Sequence, residues 1–391
     1  MKRTITKTAL AADGIIFILG ISLFSCGGST GEKHDCPEKV AENLTISYAK
    51  GLEIINRNDY SQITIKNPWQ GADGVSMTWF LVPYEYSPPE GIDPSSVIRV
   101  PVKKIVCMST THVAMVSALG ETESIVGISG TGFIWEQQVR TKIENGTVQE
   151  IGYEENINKE KLIVLEPDIV MTYGVGSESS AYTGKLMELG IKTLFNADYL
   201  ETHPLGKAEW IKLFGALYRK ENTADSIFRY IENEYNNLKL FIKDNTKDRP
   251  AVLMGLPFRD AWFISPGNSY VSTLISDAGG DYLWSSTKSS VSIPLGIENV
   301  YLKALKADYW LNIGSVDSKQ EIISIDTRLG DLPCFKMGNL YNNNKRLSAE
   351  GGNDYWESGT VNPHIILKDI ASVLHSELFH DHKMVYYKRI D

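Results

Sequence analysis

Along residues 221–245 apolar side chains recur at steps of three and four: Ala224, Ile227, Phe228, Ile231, Tyr235, Leu238 and Ile242. Asp225, Arg229, Glu232, Glu234 and Lys239 lie between them, so the spacing predicts one amphipathic helix with a single buried stripe. Thr223 is placed to cap the first turn, Glu221 and Asp225 suit its positive end, and Arg249-Pro250 stops any overrun. About 22 helical residues reach roughly 33 Å, enough to cross from one small domain to another. The stretch reads as a strut between two lobes.

On either side of the strut, short buried strands alternate with helices. Before it the pattern predicts strands at 105–108, 125–128, 168–172 and 193–195, and helices starting at Ser109 and over 158–165, 179–189 and 209–218. After it come strands at 251–254, 309–313 and 335–340, and helices over 270–278, 300–305 and 363–378. Glu160-Lys161-Leu162 through Pro167-Asp168-Ile169-Val170 rhymes with Glu298 through Asp308-Tyr309-Trp310. This grammar implies an α/β chain: two lobes of parallel sheet with flanking helices, joined by one long helix. Ligands of such sheets bind beyond the carboxyl ends of the strands, so loops facing an interlobe cleft are the expected site. Residues 44–102 are of another kind. Strands at 63–65, 77–82 and 97–100, separated by Asn67-Pro68, Gly71-Ala72-Asp73-Gly74 and Ser87-Pro88-Pro89, predict a small antiparallel N-terminal β extension.

The expected division is therefore a signal peptide over 1–25, a tether over 26–43, the extension over 44–102, lobes over 103–220 and 246–391, and the hinge helix over 221–245. Lys2, Arg3 and Lys7 precede an apolar run over 15–24 that suits a signal peptide and is too short to span a bilayer. Leu23-Phe24-Ser25-Cys26-Gly27 looks like a bacterial lipobox, which would leave Cys26 as a lipid-bearing first residue. A formal net charge of −9 on 391 residues, with no Lys/Arg run, argues against nucleic acid as a partner. Cys36, Cys107 and Cys334 have no CxxC or Cys/His spacing and predict neither a structural zinc site nor a particular disulfide. Gly127-Ile128-Ser129-Gly130-Thr131 misses the nucleophile-elbow pattern at its last position, and no strand leads into a phosphate loop. A binding protein is expected rather than an enzyme.

From Arg99-Val100-Pro101-Val102 onward the chain resembles the helical-hinge class of substrate-binding proteins, which deliver iron-siderophores, haem or cobalamin to ABC importers. The phrases that carry the likeness are Ala118-Leu119-Gly120, Ile125-Val126-Gly127-Ile128-Ser129, Glu166-Pro167-Asp168-Ile169-Val170, Pro266-Gly267-Asn268-Ser269 and Ala278-Gly279-Gly280. The extension is not part of that common core, and Ala307 stands where the family usually has Pro. The resemblance implies a monomer that holds its cargo without a resident cofactor, and docks on a membrane permease dimer through one glutamate per lobe. Glu160 and Glu298 match those positions. It also implies a lipid-anchored, periplasm-facing protein of the cell envelope.

For the cargo, candidate contacts lie just past strand ends. His112 follows Thr110 and Thr111 at a helix start, Trp135 follows Gly130-Thr131-Gly132, and Tyr173 follows its strand. Across the cleft stand Arg259, Trp262, Trp284, Arg346 and Trp356. Aromatic faces with arginines suit a bulky, anionic, flat-sided iron chelate or tetrapyrrole. Two alternatives stay open: capture of bare zinc or manganese by residues such as His112 and His203, and a surface lipoprotein that kept the fold and lost the pocket. Of the remaining histidines His364 and His375 stand alone, and His380-Asp381-His382 reads as a solvated tail.

Overall fold

The computed structural model describes residues 44–153, 156–174 and 178–391, the stretch 178–181 by its backbone alone. The expected signal peptide, the lipidation site Cys26 and the tether with Cys36 lie outside the described residues.

Two five-stranded sheets carry the chain. In the first, Gln149–Glu150, Ile125–Ile128, Ile105–Cys107, Ile169–Thr172 and Thr193–Phe195 lie side by side in that order, every pairing parallel. In the second, Asp281–Tyr282, Ala251–Met254, Tyr309–Leu311 and Leu340–Asn342 run parallel, and Lys388–Arg389 closes the edge antiparallel. The inner strands are continuously apolar because helices cover both faces. In each sheet the lobe's first strand lies inside, with its successor on one side and later strands on the other. A topological switch point therefore sits beside that first strand, where a crevice opens at the carboxyl ends.

The strut is a single helix, Glu221–Asn245, with Ala224, Phe228, Ile231, Tyr235 and Ile242 buried. It packs on Ile211–Tyr218 of the first lobe and on Pro363–Leu374 of the second. Its start differs from the expected one: Lys220 occupies the cap position without a side-chain bond, and Thr223 lies inside the first turn. At the other end Thr246 Oγ1 donates to the Ile242 carbonyl at 2.8 Å, which closes the helix before Pro250 is reached.

The extension is a four-stranded sheet of Leu52–Asn56, Ser61–Lys66, Ser76–Pro83 and Val97–Val100. Its last pairing is parallel, so the sheet is mixed rather than antiparallel throughout. Residues 84–96 form a crossover in place of a tight hairpin, which makes this possible. Two carboxylates of the first lobe fix the sheet in place. Glu209, fully buried, accepts from the backbone N–H of Ser47, Tyr48 and Ala49 at 2.9, 2.7 and 2.9 Å, and Glu201 accepts from Lys50 and Gly51 at 2.8 and 3.0 Å. Ile63, Ile65, Trp79 and Leu81 belong to the same buried cluster as Trp210 and Phe214 of that lobe.

Other boundaries differ for local reasons. Residues 335–340, expected as a strand, form the end of a helix, Pro333–Met337, before the strand Leu340–Asn342; Pro333 starts that helix and Gly338, at φ 71°, ends it. A three-stranded antiparallel sheet of Pro257–Phe258, Ala261–Ile264 and Ile293–Gly296 flanks the second lobe. Of the stretch expected as a solvated tail, His380 and Asp381 are exposed, whereas His382 and the strand-bound residues after it are tied down. Asp369, fully buried, accepts from the N–H groups of Val385, Tyr386 and Tyr387 at 2.9, 2.6 and 3.2 Å, and His382 Nε2 lies 2.7 Å from its Oδ1. Cys107 and Cys334 are buried free thiols.

Candidate ligand cleft

The carboxyl ends of the first lobe's strands open on a cavity of about 330 Å³. Ser109 and Thr110 follow Ile105–Cys107, Ser129 follows Ile125–Ile128, and Tyr173 follows Ile169–Thr172, so the parallel register brings all four to one rim. Phe133 and Tyr153, each about half exposed, add aromatic faces, and the facing wall is Gly351, Asn353 and Trp356 of the second lobe. Trp356 also borders an adjoining cavity of about 610 Å³. That space lies between Tyr199 and Thr202 of the first lobe, Ser269, Tyr270 and Ser292 of the second, and Asn67, Trp69 and Gln70 of the N-terminal sheet. Burial pushes the phenols of Tyr199 and Tyr355 up to about 12, so both stay protonated and able to donate at neutral pH.

Beside these cavities the loop over 345–361 crosses from the second lobe onto the first. The Glu357 carboxylate accepts from the N–H groups of Trp135 and Glu136 at 2.7 and 2.8 Å, at the start of the helix Gln137–Glu144. Arg140 Nη1 lies 2.9 Å from Glu350 Oε2, and Ser348 Oγ donates to the Gly132 carbonyl at 3.3 Å. The backbones also meet closely: a Cβ at Gly352 would fall 2.4 Å from the Phe133 carbonyl oxygen, so only glycine fits there. Glu357 is 2% exposed, and burial, with Asp354 and Glu136 nearby, raises its pKa to about 7 against the opposing pull of its two hydrogen bonds. A third cavity, of about 480 Å³, lies on this loop's flank between Trp135, Arg140, Arg346 and Asp354.

The residues expected to touch cargo are thus distributed among different places. Tyr173 and Trp356 face each other across the first cavity. Trp135 and Arg346 sit together at the third, with the guanidinium 5.1 Å from the indole centroid and its Nε 3.0 Å from Asp354 Oδ2. Arg259 is exposed at a hairpin turn with φ 54°, over the Phe258 ring, and lines none of the three cavities. Trp262 is fully buried, its Nε1 donating to the Met254 carbonyl at 3.0 Å and its ring 5.8 Å from Trp310. Trp284 is 5% exposed, against Tyr282 and the Lys303 ammonium. These two tryptophans are core residues. His112 is also fully buried, 6.3 Å from Phe214; desolvation lowers its pKa to about 3 against the opposing pull of the Met171 backbone and keeps it neutral. His203 Nδ1 accepts from the Leu205 N–H at 3.1 Å, and among the described residues no group of three or more His, Cys, Asp or Glu side chains is placed to hold a metal ion. Phe133, Tyr199 and Trp69 each follow a strand or turn that the sequence pattern predicts, so the rule that finds Tyr173 reaches them as well; Tyr153 follows the two-residue strand Gln149–Glu150 and Tyr270 a loop after Ala261–Ile264, neither of which the pattern marks. No local pattern points to Glu357.

Glu160 and Glu298 occupy matching positions, each the second residue of a helix that follows the cleft loops: Lys159–Leu165 and Ile297–Ala304. Both are exposed, and Glu298 has Arg328 at 3.5 Å. Unpartnered apolar side chains accompany each: Ile163 and Val164 in the first lobe, Leu302 and Leu305 in the second.

Residues 105–342 match the model of a family described as periplasmic binding protein. The chain belongs to that family. The match begins after the N-terminal sheet, so the wall built by Asn67, Trp69 and Gln70 lies outside it. Two relatives from Methanocaldococcus jannaschii, both described as uncharacterized lipoproteins, extend further. One is 27% identical over 97% of this chain and 95% of its own length, the other 24% identical over 93% and 90%. A periplasmic haem-binding protein from Pseudomonas aeruginosa shares the fold with a TM-score of 0.56 at 14% identity, covering 74% of this chain and 98% of that one. An ABC transporter substrate-binding protein from Listeria monocytogenes does so with a TM-score of 0.51 at 16% identity, covering 70% and 99%. No helix among the described residues is long and apolar enough to cross a membrane.

Proposed function

We propose that this chain is the substrate-binding lipoprotein of an ABC importer, which captures an iron-siderophore or related iron complex in the interlobe cleft and delivers it to a membrane permease. The carrying observation is the cleft itself. Phe133, Tyr153 and Tyr173 of one lobe face Trp356 of the other at the carboxyl ends of a parallel sheet, which is where a bulky ring-bearing ligand finds both stacking faces and hydroxyl partners. The haem-binding and ABC-transporter proteins that share the fold support the ligand class and the partner. The paired Glu160 and Glu298, each with exposed apolar neighbours, suit docking to arginines of a two-fold permease. The lipobox-like Leu23-Phe24-Ser25-Cys26 and the lipoprotein relatives support a lipid anchor at Cys26. One stiff helix between the lobes favours small closure motions over wide swings.

The test is a titration of the purified full-length chain, in detergent, with ferric siderophores, haem and cobalamin, following tryptophan fluorescence. Saturable quenching that is lost on Tyr173→Ala combined with Trp356→Ala is expected. A panel that leaves the fluorescence unchanged, with a protein partner co-purifying, would instead favour a surface lipoprotein without a cargo.

A further inference from the structure

We propose that the turn over residues 67–74 of the N-terminal sheet is a third wall of the cargo site, and that the site takes cargo without net negative charge. The inference rests on the solute-binding reading of the cleft and deepens it. Trp69 and Gln70 border the larger cavity directly. Both are held there: the Trp69 ring lies 5.4 Å from Phe195 at the end of a first-lobe strand, and the Gln70 N–H donates to Tyr199 Oη at 3.1 Å. Tyr199 Oη in turn donates to the Gly174 carbonyl, next to Tyr173 of the smaller cavity. The turn is therefore wired to both cavities, although it lies outside the residues matched by the family.

Among the described residues lining the two adjoining cavities there is no Lys, Arg or His, while Asp73 and Glu201 are present. The hydrogen-bonding groups are the hydroxyls and amides of residues such as Ser109, Thr110, Asn268 and Asn353. An anion taken out of water needs a cation or several free N–H donors. Two helices start in the lining, Thr110–Ala118 and Tyr270–Asp277, and both are capped from within: Thr111 N–H donates to Ser109 Oγ and His112 and Val113 to the Ser109 carbonyl, while Ser272 N–H donates to Ser269 Oγ and Thr273 N–H to the Ser269 carbonyl. Lys207, in the wall behind Tyr270, is matched by the buried Asp198 at 3.5 Å, and Lys288, beside Ser289 in the chain, is exposed. Arg140 and Arg346 line the third cavity and are paired with Glu350 and Asp354. Such a wall suits an uncharged chelate rich in hydroxyl and amide groups and disfavours carboxylate- or catecholate-rich ones.

The test uses the full-length chain in detergent and four probes: a neutral ferric trihydroxamate, cyanocobalamin, haem and an anionic ferric tris-catecholate. Affinities are read by equilibrium titration for the parent, Trp69→Ala, Trp69→Phe and Asp73→Lys, the last at an exposed position where folding is not at stake. At least one of the two uncharged probes is expected to bind at least tenfold more tightly than both anionic ones. Trp69→Ala should weaken it roughly tenfold, Trp69→Phe less so, and Asp73→Lys should strengthen the anionic probes relative to the uncharged ones. Anionic probes that bind as tightly as the uncharged, or Trp69 variants with parental affinity, would overturn this inference and leave the solute-binding reading standing. If no probe binds at all, both fall together.

Discussion

Glu357 joins the two lobes through a pair of short hydrogen bonds. Its carboxylate closes the start of a first-lobe helix while its own backbone belongs to the second lobe, and it is buried in doing so. The folded-state pKa of about 7 lies above the ordinary 4.5, so the folded chain binds the proton more tightly than the unfolded one. Its contribution to stability is then fully present below about pH 4.5 and is lost as the pH rises through about 7. Melting temperature against pH should therefore fall for the parent relative to Glu357→Gln across that window, the other buried acids being common to both chains. Parallel profiles would contradict this. Glu209 makes the opposite kind of demand: it is a buried acceptor with three backbone donors and the Lys212 ammonium at 3.0 Å. Glu209→Ala should cost about 3–5 kcal/mol in chemical denaturation, because it removes the nearer carboxylate from a buried cation, leaving it the Thr45 carbonyl and Asp225 at 3.5 Å, and leaves several N–H groups without a partner.

Among the elements, the strut was the most legible in the sequence, since a 3.6-residue period sustained over six turns has few other solutions. Phe228, 1% exposed and inside that stripe, should cost about 3–5 kcal/mol when changed to Ala, whereas Leu240, over half exposed, should cost under about 1 kcal/mol in the same denaturation series. Short apolar runs were harder to read. Cys334-Phe335-Lys336-Met337 is too brief to carry a period, and its helix depends on Pro333 and Gly338 at its ends. In the sequence Trp262 reads as a loop residue because nothing marks the strand Ala261–Ile264; once paired, its alternation turns Trp262 and Ile264 inward and Phe263 out. Of the expected cargo contacts, Tyr173 was within reach of the rule that ligands sit past strand ends. Of the facing wall, Trp356 is legible in the sequence but Gly351 and Asn353 are not, because residues 345–361 form an irregular loop whose course is set by interlobe bonds that no local pattern encodes.

At the scale of the whole molecule, the N-terminal sheet, the two lobes and the strut act on one cleft. Tyr48 Oη donates to Glu232 of the strut at 2.8 Å, so the sheet is tied to the hinge helix as well as to the first lobe. The proposed docking face lies elsewhere, on the helices that carry Glu160 and Glu298. Glu160→Lys with Glu298→Lys should therefore abolish solute uptake in membrane vesicles and leave the titrated affinity for solute unchanged; parallel loss of both would contradict separate docking and binding faces. The central claim, that a solute is held between the lobes while the strut stays intact, is tested most directly by hydrogen–deuterium exchange of the full-length chain with and without a saturating chelate. The account predicts slower exchange at residues 108–110, 129–133, 173–174 and 351–356, with 221–245 unchanged. Protection confined to surfaces outside the cleft, or a strut whose exchange rises on binding, would contradict it.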